Sequence, residues 1–154
     1  LFAVLFLLGL VALAAIDAET GFLPDALTVP LIWLGLIANI GERFASLPSA
    51  VIGAVAGYAA FWFVSGAYRL VRGREGLGGG DAKLLAAIGA WGGWMALAPA
   101  VFFGAIAALA GILGLLMLGR RIGPETPVPF GPALCLGGAA VFLAHGVGGL
   151  PLVP

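Results

Sequence analysis

Seven carboxylates punctuate this chain: Asp17, Glu19, Asp25, Glu42, Glu75, Asp81 and Glu125. Two of them stand where long apolar stretches meet polar sequence. Asp17 closes the uninterrupted run Val11-Ala12-Leu13-Ala14-Ala15-Ile16, and Asp81 follows Gly76-Leu77-Gly78-Gly79-Gly80 and directly precedes the run from Leu84 to Gly89. Ionisable groups beside apolar spans are costly to bury and point to function by default. Two carboxylates held within about 3 Å cannot both ionise cheaply, so one keeps a proton and the other stays charged. The charged member takes a proton from a water poised between them, and that water attacks a peptide carbonyl; the protonated member donates to the developing oxygen or leaving group. Such chemistry needs no metal, no cofactor and no nucleophilic serine or histidine. The single histidine, His145, falls in the last apolar segment, far from every carboxylate, and reads as structural.

A plainer reading competes with this one. An aspartate at the start of a helix is a good N-cap, where the helix dipole and free N–H groups stabilise an anion by ~0.3–1 kcal/mol. On the local pattern alone, capping is the stronger reading of Asp81. The glycines around it, Gly78 and Gly80 among them, allow tight turns with positive φ and close approach of another chain. Glu42, Glu75 and Glu125 read as solvated loop charges. Cys135 sits among Ala133, Leu134 and Leu136; one cysteine supplies neither a disulfide framework nor a thiolate metal site, and it reads as a packing residue.

The elements that must position these groups are membrane helices. Of 154 residues, 62% are apolar and 9% charged, with a mean hydropathy of +1.17, against roughly 25% charged in a soluble domain. Lipid offers no partner for unpaired backbone groups and strand-like alternation is absent, so the class is an all-α polytopic bundle in a lipid bilayer. Zero net charge gives no pull toward nucleic acid. Six apolar segments are expected, at about 1–16, 25–41, 48–70, 82–96, 98–118 and 130–147, forming one membrane-embedded domain over 1–154. The first is short for a span and reads as the end of a helix that begins upstream, which makes the chain a fragment; no basic stretch precedes it as in a signal peptide. Arg69, Arg72, Arg74, Lys83, Arg120 and Arg121 fall on one side of alternating spans and Arg43 on the other. Basic residues concentrate on the cytoplasmic side, so Asp17 and Asp81 are both expected at the cytoplasmic edge. Small residues four apart, Gly53 with Gly57, Gly89 with Gly93 and Ala107 with Gly111, predict close helix contacts.

Three segments resemble a known family. The stretch from Ile16 to Leu36, with Asp17, Gly21, Pro24, Asp25 and Pro30, is similar to the first aspartate motif of type IV prepilin peptidases. Glu75-Gly76-Leu77-Gly78-Gly79-Gly80-Asp81-Ala82-Lys83-Leu84 resembles their second, the G-x-G-D motif of intramembrane aspartic proteases, and Pro127-Val128-Pro129-Phe130-Gly131-Pro132-Ala133-Leu134 resembles a P-x-P-F-G-P-x-L segment near their C-terminus. The resemblance implies cleavage of the leader from prepilins and type II secretion pseudopilins at the cytoplasmic face of a bacterial inner membrane. It assigns the catalytic pair to Asp17 and Asp81, reversing the local preference for a cap at Asp81. Asp25 matches a non-catalytic aspartate and is read as capping the second segment. Lys83 tunes the pair, touches substrate or is a helix-end charge. Full-length members also carry paired C-x-x-C cysteines and an N-methyltransferase activity; neither cysteine pair is visible in this chain, so methylation is not assigned to it.

Two other functions compete with the peptidase. A small ion- or proton-coupled transporter would place carboxylates well inside a span. A scaffold subunit would use both aspartates as caps alone.

Overall fold

Each of the six apolar segments becomes a helix because, in lipid, the backbone can satisfy its own hydrogen bonds no other way along an isolated segment. The computed structural model describes residues 1–72, 79–119 and 130–148. Its helices are α1 (Phe2–Thr20), α2 (Asp25–Ala38), α3 (Leu47–Arg72), α4 (Gly79–Gly92), α5 (Leu97–Met117) and α6 (Gly131–Gly148), with short 3-10 turns at Asn39–Gly41 and Trp94–Ala96. Successive helices reverse direction, so Asp17, Asp25 and Asp81 share one end of the bundle, where α6 also begins. Arg43 lies at the other end, over the Phe2 ring. The chain is thus a multi-pass membrane protein.

Three helical stretches, Phe2–Thr20, Leu47–Tyr68 and Trp94–Met117, are long and apolar enough to cross a bilayer. Their outward faces carry exposed Leu8, Val11, Trp62, Phe63, Phe102 and Leu109, which only lipid can cover without penalty. In contrast, α4 is buried on nearly every side, from Asp81 through Leu84, Leu85 and Ile88 to Trp91. It packs on α2, α3 and α6, while α6 also packs on α1 and α5. The helix carrying one of the two aspartates is therefore the centre of the bundle.

Glycine makes that centre possible. A Cβ at Gly57 would fall 2.7 Å from the Leu85 carbonyl oxygen, and one at Gly53 would fall 2.7 Å from the Gly93 carbonyl carbon; Gly89 abuts Gly53 from the other side. Gly53 of the first predicted pair thus meets Gly89 and Gly93 of the second, while Gly57 packs on the backbone of Leu85 and Ala86. The third predicted pair does not behave this way. Among the described residues nothing lies within 4 Å of a Cβ at Gly111, so Gly111 makes no close helix crossing with them. The α5–α6 contact instead runs through Gly104 and Gly137, where a Cβ on Gly137 would meet the Gly104 nitrogen at 2.6 Å. The small-residue spacing identified the kind of contact and misplaced this one by about two turns, from Gly111 to Gly104.

The end of α4 remote from the aspartates is pinned by Asn39. Its Nδ2 donates to the carbonyls of Ala90 and Trp91 at 2.9 and 3.0 Å, and its Oδ1 accepts the N–H groups of Phe44 and Ala45, both at 3.1 Å. The last carbonyls of a helix lack intrahelical partners, and one buried side chain supplies them here. Trp91 adds a bond from Nε1 to the Leu31 carbonyl at 2.8 Å, its ring lying in the space that Gly35 leaves open and stacking on Phe6 at 4.7 Å.

Because backbone rather than side chain faces Gly89, Gly89→Val should lower the unfolding free energy by at least the ~1–3 kcal/mol typical of overpacking, while Gly111→Val leaves it unchanged. Asn39→Ala should cost about 1–3 kcal/mol by orphaning buried carbonyls and N–H groups. Thermal unfolding of the purified protein in detergent measures all three.

Candidate active site

The carboxylate on α1 is aimed inward by helical periodicity. Phe6, Leu10, Leu13 and Asp17 are the buried residues of α1, a single stripe at spacings of four, three and four. The helix does not stop at Ile16, as the end of the apolar run suggests, but continues to Thr20. Gly21, at φ 65°, ends it in the left-handed conformation and donates its N–H to the Asp17 carbonyl at 2.8 Å. The Thr20 hydroxyl donates to the Ile16 carbonyl at 2.7 Å. Asp17 therefore lies inside the last turn of α1 and keeps only 6% of its surface exposed.

Asp81 lies on the first turn of α4, two residues inside it, since the helix begins at Gly79. It is not the residue preceding the helix that an N-cap requires. Gly79 and Gly80 are helical; the described glycines with positive φ are Gly21, Gly93 and Gly119, so the expectation of left-handed turns is not met at these two. What Gly80 does provide is close approach: a Cβ there would stand 2.7 Å from the Cβ of buried Leu23. Gly78 lies outside the described residues. Asp81 is 9% exposed and close enough to Asp17 for the two charges to act on each other.

A third helix end completes the site. The backbone of Gly131, the first residue of α6, lies directly against the Asp17 carboxylate and presents its N–H there. That N–H has no intrahelical partner, and the positive end of the helix dipole favours a neighbouring anion. A Cβ at residue 131 would fall 2.7 Å from the Asp17 Cγ, so any larger residue there would displace the carboxylate. Phe130 holds this start of α6 against Phe61, ring centroids 6.1 Å apart. One turn further on, buried Cys135 lies within the field of both carboxylates, a packing position as its neighbours in sequence suggest.

Lys83 and Asp25 sit at the rim. The Lys83 ammonium and the Asp25 carboxylate form a salt bridge of 2.5 Å, with side chains 30% and 60% exposed. The reading of Asp25 as a helix cap is corrected by this. Pro24 occupies the cap position of α2, no side chain caps it, and Asp25 reaches α4 instead. Among the residues that sequence reasoning placed in the site, Asp17, Asp81, Gly80, Asp25 and Lys83 thus gather at one end of the bundle. Gly131 and Leu23 stood in the quoted motifs without a role. The signal for Gly131 was a glycine between an aromatic residue and a proline at a predicted helix start; for Leu23 it was an apolar residue, beside Phe22, in the connection between two segments.

This is a membrane-embedded helical protein with a buried carboxylate pair at one end, where a helix N-terminus meets it. A model of the type IV leader peptidase family matches residues 4–123, which include both aspartates. The chain belongs to the type IV leader peptidase family. It is 54% identical over 133 residues to a prepilin leader peptidase/N-methyltransferase of Burkholderia pseudomallei, covering 86% of this chain and 42% of that protein. It is 49% identical over 141 residues to the protein of the same name from Dickeya chrysanthemi, covering 90% and 49%, and 49% identical over 131 residues to that of Pseudomonas aeruginosa, covering 84% and 44%. The chain spans a little under half the length of these relatives. No solved structure matches it.

The contact between Gly131 and Asp17 has a measurable signature. Gly131→Ala should destabilise the protein by about 1–3 kcal/mol in thermal unfolding, and by less than half as much in an Asp17→Ala background, where the clashing carboxylate is gone. Equal losses in both backgrounds would show that the two residues do not touch.

Proposed function

We propose that this chain is the peptidase portion of a prepilin leader peptidase, one membrane-embedded domain over 1–154 acting as an intramembrane aspartic endopeptidase. Its substrates are type IV prepilins or type II secretion pseudopilins, cut at the cytoplasmic face of a bacterial inner membrane. The observation that carries the reading is the pairing of Asp17 and Asp81: two buried carboxylates from separate helices, within each other's field, at the same end of the bundle. The family match and the relatives' names supply the substrate class; the chemistry follows from the pair.

Like charges in a shared, partly desolvated site hold one proton between them. The ionised carboxylate takes a proton from the attacking water as its oxygen bonds the scissile carbonyl carbon. The protonated carboxyl donates to the carbonyl oxygen, and collapse of the tetrahedral species with proton transfer to nitrogen breaks the C–N bond. The Gly131 N–H orients Asp17 throughout. An end-of-bundle site suits this, because water must reach it and because a peptide bond inside an intact helix is hidden. A transporter reading predicts carboxylates midway along spans; the described ones lie at helix ends and turns.

Asp17→Ala and Asp81→Ala should each lower cleavage of a reconstituted type IV prepilin by at least ~10²-fold, the scale of one acid–base group. Both proteins should still insert, and Glu42→Gln, at the opposite end, should cleave normally. Normal processing by both alanine variants would sink the proposal.

A further inference from the structure

Lys83 follows Asp81 by two residues on α4. Side chains two apart on a helix point to opposite sides, about 200° around the axis. While Asp81 faces Asp17, Lys83 faces α2, where Asp25 holds it. One turn N-terminal of Lys83, Gly80 seats Leu23 against the backbone. Leu23 lies in the short connection that leaves α1 after the Gly21 turn, which is itself four residues past Asp17, and Asp25 opens α2 directly after that connection. The strand of chain that begins at one aspartate is thus fastened twice to the first turn of the helix bearing the other.

We infer that the Asp25–Lys83 ion pair and the Leu23–Gly80 contact form a latch that sets the rotation of the first turn of α4 and thereby aims Asp81 at Asp17. Asp25 and Lys83 are positioning residues: neither touches the reacting atoms, and each acts through Asp81. The apolar contact fixes the depth of α4 against the turn, and the ion pair fixes its rotation. Asn39 holds the other end of α4, and Gly53 and Gly57 of α3 hold it as far as Leu85, so the ion pair acts on the one turn beyond them, which bears Asp81. The inference rests on the reading of Asp17 and Asp81 as the reacting pair.

Two measurements on the full chain in liposomes test it. In a Cys135→Ser background carrying Asp17→Cys and Asp81→Cys, the rate of bridging by short bifunctional methanethiosulfonates reports the approach of the two positions without requiring activity. Asp25→Asn or Lys83→Gln should each slow bridging about two- to fivefold, the range in which a partly exposed ion pair acts, and the exchange Asp25→Lys with Lys83→Asp should restore it. Prepilin cleavage, with both aspartates in place, should fall in kcat with KM unchanged in the single variants and recover in the exchange. Unaltered bridging in both single variants, or an exchange no better than either, overturns the latch. Failure of the underlying reading looks different: cleavage would survive Asp17→Ala and Asp81→Ala whatever the latch variants do.

Discussion

Burying two carboxylates side by side is unfavourable twice over. Each loses its hydration, and each repels the other in surroundings that screen poorly. A membrane bundle tolerates Asp17 and Asp81 together only because other groups replace the lost water. The Gly131 N–H, an orphan donor by its place at a helix start, stands against Asp17; Asp81 stands on the first turn of α4, where the helix dipole favours a negative charge. Much else in the structure can be traced to this need. Three helix ends must converge, which obliges α1, α4 and α6 to run as they do. The convergence must also be tight, which is why glycine stands at 80 and 131.

Tightness at one end demands rigidity elsewhere. Lipid gives helices no hydrophobic reason to associate, so their positions rest on close packing and buried hydrogen bonds. The α3–α4 crossing brings backbone against backbone at Gly53, Gly57 and Gly89, where there is no flexible side chain to take up slack. At the far end Asn39 and Trp91 bond across to neighbouring segments and leave few ways for α4 to slide. The central helix is a rigid mount for one carboxylate. The other rides on a lipid-facing helix whose inward stripe is Phe6, Leu10, Leu13 and Asp17.

The number of helices, their order and the sharing of one bundle end by both aspartates were legible in the sequence, because hydropathy responds to the membrane directly. The aspartates were legible in part from physics: Asp17 completes a helical stripe and Asp81 opens an apolar run, but a cap and a catalytic group look alike at a helix start. Resemblance favours the catalytic reading of Asp81, and the helix start at Gly79 speaks against the cap. Contacts between distant segments were not legible. Nothing local says that Asp25 reaches Lys83 rather than capping its own helix, or that α5 meets α6 at Gly104 and not at Gly111. Small residues announce that a close approach exists somewhere on a helix, and the partner's phase then selects which of them makes it. Asn39 went unremarked for the same reason, since its four hydrogen-bonding partners come from two segments remote from each other in sequence.

Family membership and geometry constrain different things here. The match over residues 4–123 covers both aspartates but ends before α6, so it is silent on what Gly131 does. Geometry supplies that step: the third resembling segment matters because its glycine puts a bare backbone N–H against Asp17. Three stretches far apart in sequence reach one point of the fold, and each brings something the others lack: a carboxylate at the end of a helix, a second carboxylate at the start of another, and an unshared donor between helices. A scaffold that used its aspartates only as caps would have no reason to bring the ends of α1, α4 and α6 to the same place. The proposed sharing of one proton between the two buried acids rests on that convergence.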